Sequence, residues 1–168
     1  MSVEKNEFAR YPQQIRANMS ASAPLYVRKA DHYAVHQRSP DLPARGAVLL
    51  LEDGAIAVFQ GRPDEANIAG QAGRLGPVYG LQPSGLPAVP TGRVLVRFAA
   101  GIKADSRRQE IEQAGYELVE SLAYAPQAAW LRAQSDDIAH ALAGLSRLEQ
   151  LPDIENVEPQ MLMESVRR

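Results

Sequence analysis

The chain has 168 residues, 45% of them hydrophobic and 23% charged, enough for one medium domain or two small ones. A net charge of -2, with nine basic and eight acidic residues up to Pro90 and nine basic and twelve acidic after it, gives no reason to expect nucleic acid or an anionic membrane as partner. The absence of cysteine excludes a disulfide framework and a thiol nucleophile, and no stretch reaches the apolar length of a membrane-spanning helix. The opening Met1 to Phe8 has no apolar run of the secretory kind, so location is unassigned, with the cytoplasm as the default expectation.

In chain order, residues 1–23 are polar and weakly periodic and read as an arm or short helix. Leu25 to Gln37 is strand-like, with a break predicted at Ala30-Asp31. Ser39 to Gly46 carries two prolines and reads as a loop. Val48 to Glu52 and Ala55 to Phe59 flank Asp53-Gly54, a pair suited to the positive φ angles of a tight turn, so a β-hairpin is predicted there. Pro63 before Asp64 to Gly70 suggests a short helix. The stretch from Gly70 to Gly92, rich in glycine and proline, reads as loop or linker with one short strand around Val78 to Leu81. Residues 1–90 are therefore expected to form a β-rich module, or an extension adding strands to the sheet that follows.

From Thr91 onward the pattern sharpens. Arg93 to Phe98 alternates, with Val94, Val96 and Phe98 on one face and Leu95 and Arg97 on the other. A helix over Arg107 to Ala114 is predicted, with Ser106 and Gln109 as a capping box and Gly115 as its stop. Tyr116 to Ser121 and Ala128 to Arg132 read as strands. Ser135 is the expected cap of a longer helix that carries Ile138, Leu142, Leu145 and Leu148 on one face and ends at Pro152. Ile154 to Glu158 reads as the last strand. The fold class is α+β: a ferredoxin-like β-α-β-β-α-β antiparallel sheet over residues 91–168, two helices on one face and the other face open.

Three groups of residues in this half carry a resemblance. Val94-Leu-Val-Arg-Phe98 is followed by Gly101, the first helix ends in Ala114-Gly115, and the chain closes on Leu148-Glu-Gln-Leu-Pro-Asp-Ile-Glu-Asn-Val-Glu-Pro159. Together they resemble the propeptide domain of subtilisin-like serine proteases and the stand-alone peptidase inhibitors that share its fold. The likeness is confined to residues 91–168. It implies a non-enzymatic inhibitor, and a folding chaperone, whose partner is a subtilisin-like protease. The open sheet face, with Leu95, Arg97 and Glu158, would pack on the protease. The tail Met161, Leu162, Met163, Glu164, Ser165, Val166, Arg167 and Arg168 would lie in the active-site cleft as a substrate does. An ungapped count from Val157-Glu158 puts Val166 next to the cleavage point and Met163 in a deep apolar pocket; if the chain end takes that place, Arg168 follows Arg167 into an acidic pocket. A different role for Met161 to Met163 is to cover the edge of the sheet.

The residues themselves offer no catalytic constellation and call for no cofactor. Four residues apart on a strand, His32 and His36 share a face at about 13 Å, too far for one metal ion, and read as polar positions on a half-exposed strand. His140 falls off the apolar stripe of its helix. Neither a Gly-x-Ser-x-Gly elbow nor a phosphate loop is present. Because fold does not dictate function, a ligand-sensing domain and a homo-oligomeric assembly module stand as alternatives.

Overall fold

The computed structural model describes residues 8–39, 41, 44–63 and 73–164, so the helix expected from Asp64 to Gly70 and the tail residues Ser165, Val166, Arg167 and Arg168 lie outside the described residues. Nine strands run in order as β1 (Gln14–Arg16), β2 (Leu25–His36), β3 (Ala47–Leu51), β4 (Ile56–Gln60), β5 (Arg74–Leu81), β6 (Leu86–Phe98), β7 (Tyr116–Leu122), β8 (Ala125–Ala133) and β9 (Ile154–Met163). Three short helices, α1 (Arg108–Gln113), α2 (Ile138–Ala143) and α3 (Leu145–Glu149), complete the described elements with two 3-10 turns. The protein is α+β, and β2–β4, β2–β5, β3–β4, β5–β6, β6–β8 and β7–β8 all pair antiparallel. Its contacts divide it into two compact units, each made of segments distant in sequence.

The first unit contains Tyr26–Val89 together with residues 161–164. Its strand order is β3-β4-β2-β5-β6. Because successive side chains of a strand alternate, both faces of this sheet carry a core. Ala34, Leu51, Ile56, Val58, Val78 and Val89 form one cluster. Tyr33, Val35, Ala57 and Phe59 form the other, where the Tyr33 and Phe59 rings stack at 5.2 Å. The break expected at Ala30-Asp31 is a shift of register between Arg28 and Tyr33 inside one continuous strand. The β3–β4 turn is longer than the two-residue turn expected from Asp53-Gly54. Leu51 pairs with Ile56, and Glu52, Asp53 and Gly54 all take positive φ. A buried Arg38 stabilises that turn by donating to the Gly54 carbonyl.

The largest departure from the sequence reading is at Gly70 to Gly92, which is mostly strand rather than linker. β5 and the start of β6 pair through Tyr79–Ala88 and Leu81–Leu86. Gly73, Gly76 and Gly80 mark close approach instead of looseness. A Cβ on Gly76 would stand 2.7 Å from His36 Nε2, so only glycine lets β5 pass this ring.

The second unit contains Ala9–Leu25 and Pro90–Gln160. In it β6 pairs with β8 (Val94–Leu131, Val96–Ala129) and β8 with β7 (Tyr116–Ala133, Leu118–Leu131). β9 lies on the other side of β6. Contacts from Ala99 N to Asp153 O (2.9 Å) and from Thr91 Oγ1 to Gln160 Oε1 (2.8 Å) join opposite ends of the two strands, so they run antiparallel. Val94, Val96 and Phe98 point, as expected, into a core with Ile111, Ala141 and Leu148 from the three helices.

Local details differ from expectation for identifiable reasons. A 3-10 turn starts at Ala104, which places Ser106 inside it; its hydroxyl donates back to Lys103 O instead of forming a capping box. Gly115 stops the helix at φ +96° as read. Asp137 takes the role expected of Ser135, accepting from Ala139 N at 2.8 Å. The long helix expected after Ser135 is two, separated at Gly144, where a Cβ would stand 2.6 Å from Tyr116 OH and 2.6 Å from the Arg147 guanidinium. Finally, β9 continues five residues past the expected end at Glu158.

Candidate functional site

The face of the second unit opposite its helices is built by strand alternation. Ala129, Leu131 and Ala133 of β8 enter the core, so Ala128, Trp130 and Arg132 face the other way. On β6 the same rule turns Leu95 and Arg97 outward, and Leu95 pairs directly with the half-buried Trp130. Val157 enters the core, which turns the half-buried Glu158 outward on β9. All three residues assigned to this face from sequence, Leu95, Arg97 and Glu158, are therefore on it. The apolar centre is Leu95 with Trp130, and charge surrounds it.

Those charges are paired. Arg132 donates to Glu117 from the neighbouring strand, and Arg97 approaches Glu155 at 4.0 Å. Asn156 Nδ2 donates to Glu158 Oε1 at 2.9 Å and its Oδ1 accepts from Met19 N at 3.2 Å. Trp130 was not singled out from sequence, although the alternation of Ala128-Ala-Trp-Leu-Arg132 carried the signal.

The described part of the tail is strand. Leu162 packs against the first unit's cluster of Ala34, Leu51, Ile56, Val58, Val78 and Val89. Alternation turns Met161 and Met163 to the other face, half-buried, and the exposed Glu164 follows the end of β9. Leu162 therefore anchors the root of the tail, and Met163 is the last strand residue before it.

No protein-family model, curated protein or solved structure matches this chain.

The histidines do not converge. His32 Nδ1 lies 2.8 Å from Asp31 Oδ1, an interaction that holds the Asp31 carboxyl below its ordinary range. His36, expected on a half-exposed strand, is buried, and its Nε2 has no hydrogen-bond partner among the described residues. Burial, with the Arg74 charge adding to it, lowers its pKa to about 4. His140 bonds Ser135 Oγ at 2.7 Å. Among the described residues no three His, Asp or Glu side chains come close enough to hold a metal ion. A shallow cleft of about 150 Å³ lies between Thr91, Gly92, Arg93, Arg132, Asp136 and Ile138.

Proposed function

We propose that this chain inhibits, and assists the folding of, a subtilisin-like serine protease, acting as a binding protein and not as an enzyme. The observation that carries the reading is the strand order β9-β6-β8-β7 with all helical core residues on one face. That order suits a ferredoxin-like domain, and it leaves a face with an apolar Leu95–Trp130 centre and a polar rim, the usual make-up of a protein-binding patch. The closing strand β9 leads straight into the tail, as cleft insertion requires. Extended backbone supplies affinity by pairing with the cleft edges, and alternate side chains supply specificity.

The anchoring of Leu162 supports a division of labour within the tail. Residues up to Leu162 hold the root, and those from Met163 onward engage the protease. Anchoring limits the conformational freedom lost on binding, which favours affinity.

The test is a titration of the full chain against subtilisin-like proteases with a chromogenic substrate, beside a chain ending after Glu164 and a Trp130→Ala variant. Truncation after Glu164 keeps Leu162 in place, so it removes only the inserting residues. Inhibition that saturates at one-to-one and weakens in both variants supports the reading. No inhibition by the intact chain, or equal inhibition by all three, overturns it.

A further inference from the structure

We propose that His36 is an acid-operated latch on the root of the tail: at neutral pH its ring completes the layer that holds Leu162, and in acid the ring leaves and the end of β9 is released. His36 and Ala34 stand two apart on β2 and so share a face, and Ala34 belongs to the cluster against which Leu162 packs. The ring lies over Gly76 of β5, where a Cβ would come within 2.7 Å of Nε2 and 3.0 Å of Cδ2. Gly76 pairs with Ala34, and Val78, two residues further on β5, is in the same cluster. The imidazole therefore fills the space that a side chain at position 76 would take in this layer. Leu162 is only partly buried there and stands one residue from the end of β9, so it is held less firmly than the strands around it.

The neutral ring suits this place and the charged one does not. Nε2 has no hydrogen-bond partner among the described residues, and a buried cation needs one. The surrounding elements offer none. Arg74 stands directly across on β5, while β3, β4 and residues 86–90 of β6 carry no charged side chain. Beyond β2 the buried Arg38 is itself cationic and donates to the Gly54 carbonyl, and Glu52 after β3 and Glu164 after β9 are exposed. Of these charges only Arg74 acts on the ring, and like burial it opposes the proton. A ring protonated outside the layer cannot return without giving up its proton. This inference does not depend on the protease reading, since it concerns the end of β9 in the free chain.

Hydrogen exchange of the full chain at pH 7 and pH 5, with the intrinsic effect of pH on amide exchange divided out, tests it beside His36→Leu and Arg74→Gln. The folded pKa lies below the unfolded one, so the closed form is complete above about pH 6.5 and is lost progressively as the pH falls toward 4. Protection of Met161 to Met163 should drop about twentyfold between the two pH values, and that of Ala129 to Leu131 in the second unit should not follow it. His36→Leu should keep its pH 7 protection at pH 5. Arg74→Gln, at an exposed position, should make the drop smaller because it removes the neighbouring cation. Equal protection of Met161 to Met163 at both pH values, a drop that persists in His36→Leu, or an equal drop at Ala129 to Leu131 overturns the proposal. Should His36→Leu fail to fold, Arg74→Gln decides: a smaller drop supports the latch and an unchanged one overturns it.

Discussion

Arg10 and Asp137, 127 positions apart, form an ion pair of 2.9 Å that ties the N-terminal segment to the start of α2. The Arg10 hydrogen bond is the main reason the Asp137 carboxyl lies below its ordinary range, and the same carboxylate caps the helix through Ala139 N. Close by, Tyr11 and Ile15 are buried and Met19 packs on the core of the second unit. The apolar part of this attachment outweighs the ionic part, because an exposed pair is weakened by solvent and salt. Ile15→Ala, which empties a buried position, should therefore destabilise the fold by about 2–4 kcal/mol. Arg10→Ala should have a much smaller effect that disappears in high salt. Urea unfolding followed by Trp130 fluorescence measures both, and equal effects would contradict the ranking.

His36 makes stability depend on acidity. Its folded pKa of about 4 lies below the unfolded value near 6.5, so folding favours the neutral ring. Stability is complete above pH 6.5 and falls as the pH drops toward 4, by up to about 3 kcal/mol. His36→Leu removes this dependence while keeping the side chain apolar. Chemical denaturation at pH 7 and pH 4 should show a smaller loss for the variant than for the parent chain. Parallel losses would assign the acid sensitivity elsewhere.

Gly144 caps both α2 and α3, so alanine gains little helix propensity there. Its Cβ would stand 2.6 Å from the hydroxyl of the buried Tyr116. That hydroxyl donates to the Ala141 carbonyl, so it cannot move without leaving a buried acceptor unpaired. Gly144→Ala should lose about 1–3 kcal/mol net. Adding Tyr116→Phe should cost less than the sum of the two single changes, since the ring without its oxygen leaves room for the methyl. Additivity in the thermal melts would rule out that contact as the cause.

Leu162 should matter to stability as well as to the tail. Replacing it with alanine removes half-buried apolar surface from the first unit, for a loss of about 1–2 kcal/mol. A chain ending after Gln160 should show at least this loss, and one ending after Glu164 should show none. Thermal melts of the three distinguish an anchored root from a tail without structural role.

Much of the second unit was legible because strand alternation is a local signal. Val94, Val96 and Phe98 against Leu95 and Arg97 assigned the inner and outer faces of β6 without any tertiary information, and Gly115 marked the helix stop. The same rule would have found Trp130. His36 was misread because a polar residue within a strand carries no sign of which layer will cover it. Gly76 was misread because glycine that permits a turn and glycine that permits a close approach look alike in sequence.

The order of strands and helices from β6 to β9, the inner and outer faces of β6 and the hairpin of β3 and β4 follow from spacing and turn residues within short windows. Contacts between distant residues decided the rest. Residues 9–25 joined the second unit through Arg10 and Met19, and residues 161–164 joined the first, where Leu162 found its cluster. Periodicity states that a side chain needs burial. The partner that buries it is determined by which surfaces the folded chain brings together.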